Sequence, residues 1–134
     1  MRLYLDIDGV LLTKHPVAAA PGGAAFIDFV TARFACYWLT THCKGNADVA
    51  VQYLSRFYDA ATVAQVQTWQ PTTWDTLKTE ALLEATDFFW LDDAPFGSEQ
   101  LALDQRGLLH RLITVDLVRP DELQQIQQLL KRLL

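Results

Sequence analysis

The chain has 134 residues, of which 51% are hydrophobic and 20% are charged, a composition that predicts one compact, soluble domain with a well-buried core. Eleven Lys and Arg residues against sixteen Asp and Glu residues give a net charge of −5 at pH 7, which argues against strong non-specific binding to nucleic acids. No apolar run approaches the roughly 20 residues needed to cross a bilayer, and the acidic start of the chain is unlike a signal peptide. The expected location is therefore the cytoplasm, with no membrane partner.

The first half of the chain alternates between predicted strands and predicted helices. Residues 2–7 are expected to form a buried strand, and 24–34 a helix whose apolar residues recur at helical spacing. A second strand is predicted at 35–40. Asn46 is placed to cap a helix over 47–58.

The second half continues this alternation. Strands are predicted at 63–69, 87–93 and 108–117, and helices at 75–85, from Ser98 through Leu101, and after Pro120. Strands separated by helices are joined by right-handed crossovers into a parallel sheet. The sequence therefore predicts an α/β fold, a Rossmann-like doubly wound parallel sheet of about five strands with helices on both faces, in a single domain over 1–134.

Polar residues follow the predicted strands, at the edge where such a sheet binds its ligands. They are Asp6 and Asp8, Thr40 and Thr41, Asp92 and Asp93, together with Lys78 at the start of a predicted helix. Asp6 and Asp8 share one side of their strand, and two carboxylates so close require a cation or a proton between them. A cluster of carboxylates suits Mg²⁺ held with waters and a substrate phosphate, and a lysine and a hydroxyl can bind the phosphate oxygens. The pattern predicts phosphoryl transfer.

Four segments of the chain resemble the motifs of the haloacid dehalogenase superfamily, in that family's order. They are LDIDGVL (5–11), WLTT (38–41), DTLKTEAL (75–82) and FFWLDDAP (88–95). The resemblance extends from residue 1 to about 118, and its first motif is the most specific part. It implies a Mg²⁺-dependent phosphatase that hydrolyses a phosphorylated substrate through an aspartyl-phosphate.

The resemblance implies distinct roles for the four acids. Asp6 would be the nucleophile, and Asp8 would first protonate the leaving alcohol and then act as the base that activates water. Asp93 would bind Mg²⁺ together with Asp6 and the backbone carbonyl of Asp8. Asp92 would support the waters of the metal or Lys78.

The resemblance also implies residues that contact the substrate phosphate. Lys78 and Thr40 are assigned to the phosphate oxygens, and Thr41 is the second choice because Thr40 follows the apolar strand directly. Asp6 and Gly9 of the first motif complete the expected set. His42, which comes next along the chain, is expected to line the site or to be incidental.

Neither interval between the motifs can hold the cap domain that many members of this family carry. Residues 9–23 are expected to form a flap, and 59–74 a short connection. A capless site is associated in the family with macromolecular substrates or with closure by a partner subunit. The segments YWLTTHCKGNA and WLDDAP also resemble small domains of this family grouped with RNA-repair proteins, which implies a nucleotide or a nucleic-acid end as substrate.

Other functions remain open at this stage. A phosphoacceptor signalling domain uses similar residues but in a different order along the chain. A non-catalytic binding module with this fold and a phosphotransferase with an acceptor other than water are the stronger alternatives. The Leu-rich end of the chain leaves room for a homodimer. Cys36 and Cys43 lack metal-ligand spacing, so both are expected to be reduced thiols.

Overall fold

The computed structural model describes residues 1–134 as alternating strands and helices. The strands are β1 (Arg2–Leu5), β2 (Leu12–Lys14), β3 (Val17–Ala19), β4 (Ala35–Trp38), β5 (Phe88–Asp92) and β6 (Leu112–Thr114). The α-helices are α1 (Gly23–Arg33), α2 (Asp48–Leu54), α3 (Ala60–Val66), α4 (Gly97–Gln105) and α5 (Glu122–Leu133). Two short 3₁₀ helices, Lys78–Leu82 and Leu109–Arg111, complete the chain.

The central sheet contains four parallel strands in the order β4-β1-β5-β6. At the end of β1, Leu5 lies beside Trp38 of β4 and Leu91 of β5. The chain passes from β1 to β4 on one side and later to β5 on the other side, so the strand order reverses between β1 and β5. Ligands of open α/β sheets bind at the carboxyl ends of the strands at such a reversal.

Both faces of this sheet are covered. Leu3 and Leu5 of β1 belong to the larger hydrophobic cluster, which includes residues of α1, α2, α3 and α5. Tyr4, between them, points to the opposite face and packs in a smaller cluster with Leu82 and Leu103, which come from a 3₁₀ helix and from α4. The predicted α/β class and the parallel sheet with covered faces are therefore confirmed.

The prediction of about five strands in one sheet is wrong, because residues 63–69 do not form a strand. Residues 60–66 form helix α3, which is capped by Asp59: its Oδ1 accepts a hydrogen bond of 2.9 Å from the backbone N–H of Thr62. Thr62 and Val66, four residues apart, are buried on one face of this helix. A capped N-terminus and a buried face at helical spacing outweigh the strand preference of the Val and Thr residues.

Other boundaries also differ from those predicted. The segment 75–85 contains only the 3₁₀ helix Lys78–Leu82. The helix begins after residue 77, where the Glu80 carboxylate accepts hydrogen bonds of 2.7 to 3.1 Å from the backbone N–H groups of 75–77. The last strand is limited to Leu112–Thr114. The flap at 9–23 contains an antiparallel hairpin, formed by β2 and β3.

The C-terminal leucine stripe packs mainly within the protein itself. Leu123, Ile126 and Leu130 of α5 are buried in the larger cluster, whereas Leu133 and Leu134 are exposed. Both cysteines are free, as predicted, and both are buried. None of the helices has the length and the apolar content that crossing a membrane requires.

The cap of α3 can be tested by replacing Asp59 with Ala. The N–H of Thr62 then loses its acceptor, so we expect the melting temperature to fall by a few degrees, while Asp59→Asn keeps most of the stability because Asn also caps helices. Thermal unfolding followed by circular dichroism measures both. Equal stability of the Ala variant and the wild type would contradict this account of why residues 60–66 are helical.

Candidate active site

Two buried carboxylates and one ammonium group form the centre of the site. Asp6 follows β1 directly and Asp92 ends the neighbouring β5, so pairing of these strands brings their side chains together. The Nζ atom of Lys78 lies 2.6 Å from Oδ2 of Asp92 and 3.2 Å from Oδ2 of Asp6. The second oxygen of each carboxylate accepts a hydrogen bond from a backbone N–H group. The Oδ1 atom of Asp6 lies 2.8 Å from the nitrogen of Ile7, and the Oδ1 atom of Asp92 lies 3.0 Å from the nitrogen of Ala94. Asp6 is 8% exposed and Asp92 2% exposed, so this charge cluster is largely removed from water.

The burial of these groups changes their acid–base behaviour. Burial raises the pKa of Asp6 to about 6, although Lys78 counteracts this rise and Asp92 adds to it. Burial lowers the pKa of Lys78, but the attraction of Asp6 and Asp92 outweighs it, so that the pKa is raised overall. Lys78 is therefore an ammonium group at neutral pH.

Glu99 fixes the position of Lys78. Its buried carboxylate accepts a hydrogen bond of 2.7 Å from the backbone N–H of Lys78 and another of 2.8 Å from that of Phe96. These bonds tie the 3₁₀ helix to the start of α4. Nothing in the sequence signals this role, because Glu99 lies 21 residues from Lys78 along the chain.

A third carboxylate, that of Asp93, completes an acidic cluster. Carboxylate oxygens of Asp6, Asp92 and Asp93 lie within 4.8 Å of one another. Asp93 forms an ion pair of 2.6 Å with Lys14 of the hairpin. Gly9 approaches Asp93 so closely that a Cβ atom would collide with its side chain, and its φ of +81° also favours glycine.

The charges of this cluster fit a divalent cation. Three carboxylates, those of Asp6, Asp92 and Asp93, face two ammonium groups, those of Lys14 and Lys78, which leaves a net negative charge. Clustered carboxylate oxygens are the ligands that Mg²⁺ prefers. The structure thus brings together three of the four acids predicted to hold the metal.

The carboxylate of the fourth acid, Asp8, contacts two aromatic side chains. The Nε2 atom of His42 lies 2.9 Å from its Oδ2, and the hydroxyl group of Tyr53 donates a hydrogen bond of 3.0 Å to its Oδ1. The rings of His42 and Tyr53 are stacked, with their centroids 4.3 Å apart. Burial and the hydrogen bond to Asp8 raise the pKa of Tyr53, which keeps its hydroxyl protonated. Sequence reasoning missed Tyr53, because a tyrosine 45 residues from Asp8 on an apolar helix face carries no signal of this contact.

The two candidate threonines occupy different depths. A cavity of about 210 Å³ is lined by Thr41 together with Asp6, Asp8, Lys78, Asp92 and Asp93. Thr40 is 0% exposed, and its Oγ1 accepts a hydrogen bond of 3.3 Å from the backbone N–H of His42. The side chain at the cavity is therefore that of Thr41, the second choice of the sequence reasoning.

A larger cavity of about 570 Å³ adjoins the first one. It lies between the hairpin, which contributes Thr13, Lys14 and His15, and the segment 114–119, which begins with the last residue of β6. Gly9 lines this cavity, and Lys14 and Asp93 line both. The volume is typical of a site for a small molecule.

Comparison of the chain with models of protein families, with characterised proteins and with solved structures found no match. The likeness to the haloacid dehalogenase superfamily therefore rests on the four sequence segments. The structure brings residues of all four to one cavity: Asp6 and Asp8 from the first, Thr41 from the second, Lys78 from the third, and Asp92 and Asp93 from the fourth.

The raised pKa of Asp6 predicts how stability depends on pH. The ordinary pKa of the unfolded chain is 3.8 and that of the folded state is about 6, so the folded state binds more protons between these values. The stability that protonated Asp6 contributes is fully present below about pH 4 and is lost as the pH rises through about 6.

Asp6→Asn mimics the neutral acid and should therefore stabilise the metal-free protein at about pH 7.5, by about 1–3 kcal/mol from the size of the pKa shift. Below about pH 4 the variant and the wild type should be equally stable. Urea unfolding in EDTA at the two pH values measures the difference. A variant that is no more stable than the wild type at about pH 7.5 would contradict the burial of a charged Asp6.

Proposed function

We propose that this protein is a Mg²⁺-dependent phosphatase that hydrolyses phosphate monoesters through an aspartyl-phosphate on Asp6. The observation that carries the proposal is the convergence of the four motif-like segments on one acidic cavity beside β1 and β5. Those segments are far apart in the chain, and their residues include an acid pair, a hydroxyl, a lysine and a second acid pair in the order that the superfamily uses.

The reaction has two steps. Asp6 attacks phosphorus, the bond to the leaving oxygen breaks, and that oxygen keeps the electron pair and takes a proton from Asp8. A water molecule then attacks the phosphorus of the aspartyl-phosphate and gives a proton to Asp8. The bond between phosphorus and the Asp6 oxygen breaks, which releases inorganic phosphate and restores both acids.

The negative charge of the substrate explains the cations of the site. A dianionic phosphoryl group adds charge to a cluster that is already negative, so it needs donors on its oxygens. Lys78, held as an ammonium group by Asp6 and Asp92, and Thr41 at the cavity supply such donors. Mg²⁺ held by Asp6, Asp93 and the backbone carbonyl of Asp8, with Asp92 in support, would neutralise charge on the phosphoryl oxygens.

The adjoining cavity suits the leaving group of the substrate. Its volume of about 570 Å³ exceeds what a phosphoryl group alone requires and falls within the range of small-molecule sites. The volume does not distinguish among small phosphate esters, and the resemblance to domains grouped with RNA-repair proteins makes nucleotides and nucleic-acid ends the first substrates to test, alongside sugar phosphates. In this proposal the protein is a capless, single-domain enzyme whose hairpin borders the site, and its free thiols agree with the reducing cytoplasm.

The proposal predicts hydrolysis of 4-nitrophenyl phosphate in the presence of Mg²⁺ and none in EDTA. Asp6→Asn should reduce turnover to the background rate, because the amide cannot form the phosphoenzyme. Asp28→Asn, an exposed acid on α1, is the matched control and should keep full activity. Activity that survives in Asp6→Asn would refute the nucleophile assignment, and a wild type inactive on this ester and on the phosphates named above would favour the non-catalytic module.

A second prediction concerns the metal. Asp93→Asn removes one carboxylate of the cluster and should weaken Mg²⁺ binding by at least about tenfold, as expected when groups that hold a metal are altered. Lys14→Met should have the opposite effect, because Lys14 forms an ion pair with Asp93 and competes with a cation for it. Calorimetric titration with Mg²⁺ measures both. The same affinity in Asp93→Asn and in the Asp28→Asn control would contradict the metal assignment.

A further inference from the structure

We propose that Tyr53 and His42 are positioning residues that hold the Asp8 carboxyl group in the orientation from which it protonates the leaving group and later accepts a proton from water. The inference rests on the proposed phosphatase function and adds two residues to it. Neither residue lies within the four sequence segments that resemble the superfamily motifs.

Each oxygen of the Asp8 carboxylate has its own donor. Tyr53 donates to Oδ1 over 3.0 Å, and His42, with its proton on Nε2, donates to Oδ2 over 2.9 Å. A donor on each oxygen restricts rotation of the carboxylate. Because a carboxylate has about four acceptor positions, these two bonds leave a position on which Asp8, at the cavity, can carry the proton that it transfers.

The two donors are themselves held in place. The rings of His42 and Tyr53 stack at an interplanar angle of 29°, and Tyr53 packs edge-on against Phe57 with centroids 5.8 Å apart. Tyr53 also packs against the larger hydrophobic cluster, and the backbone N–H of His42 donates to Thr40. The orientation of Asp8 is therefore linked to the position of α2 and of the loop after β4.

Asp8 needs this support more than Asp6 does. The Asp6 carboxylate is buried between Lys78 and the backbone of Ile7, whereas the Asp8 side chain is 35% exposed. An exposed carboxylate without such partners would sample several orientations, and a small misplacement of an acid can slow proton transfer considerably. The hydrogen bonds from Tyr53 and His42 supply the orientation that burial gives to Asp6.

The test compares kcat/KM for phenyl phosphate and for 4-nitrophenyl phosphate with Mg²⁺. The two esters have similar shapes, but the phenol is a much poorer leaving group and depends more on the proton from Asp8. Tyr53→Phe keeps the ring and removes only the donor. We expect it to lower the ratio of kcat/KM for phenyl phosphate to kcat/KM for 4-nitrophenyl phosphate about tenfold, which is part of the full effect of a general acid. His42→Phe keeps the stacked ring and should act in the same direction.

Two further variants set the scale. Asp8→Asn removes the acid itself, and adding Tyr53→Phe to it should change the ratio no further, since the two changes affect one function. Tyr58→Phe is the matched control: it removes a hydroxyl that donates to the backbone of Leu11 over 2.6 Å and does not contact Asp8. Its ratio should equal that of the wild type.

The outcomes separate this inference from the function on which it rests. A merely structural role would lower the rates on both esters equally in Tyr53→Phe and His42→Phe, and that result would overturn the inference while leaving the phosphatase intact. A wild type inactive on both esters and on nucleotides would overturn the phosphatase proposal and the inference with it. If Tyr53→Phe fails to fold, His42→Phe decides alone.

Discussion

The ion pairs between Lys78 and the two acids Asp6 and Asp92 are the interaction on which the rest of the site depends. Two carboxylates buried side by side repel each other and lose their hydration. One ammonium group within 3.2 Å of both offsets much of this cost, but the pKa of Asp6, raised to about 6, shows that the offset is incomplete. The folded protein therefore carries, at the carboxyl edge of its sheet, a charge cluster whose repulsion and lost hydration are only partly compensated.

The fold supplies this cluster through strand pairing and through contacts that are distant in sequence. Pairing of β1 with β5 sets the two acids beside each other, and Glu99 ties Lys78 to the start of α4. Gly9 lets the first loop approach Asp93 without a collision. Each of these contacts fixes one residue of the site relative to the sheet, so the interactions that pack the domain also assemble the site.

The sequence allowed the sheet and the acid cluster to be predicted because both depend on local patterns. Apolar strands followed by polar residues identify β1, β4 and β5, and the parallel arrangement then brings Asp6, Asp92 and Asp93 to one edge. The prediction of a strand at 63–69 is wrong because Thr62 and Val66, four residues apart, form the buried face of a helix that Asp59 caps. The contacts of Tyr53 with Asp8 and of Glu99 with Lys78 could not be predicted, because they depend on how α2 and α4 dock in the fold, which no local pattern encodes.

The two acids of the first motif-like segment have the same chemistry but different environments. Asp6 lies in the buried cluster, where its partners are an ammonium group and a backbone N–H. Asp8, two residues later, lies at the rim of the cavity, where its partners are a phenol and an imidazole. In the proposed reaction one acid must form a bond to phosphorus and the other must exchange protons with a leaving group and with water. In that reaction the buried position would limit hydration of the nucleophile, and the partly exposed but oriented position would let the second acid meet both of its proton partners. The proposed division of roles would thus follow from the depth of each residue beside the sheet.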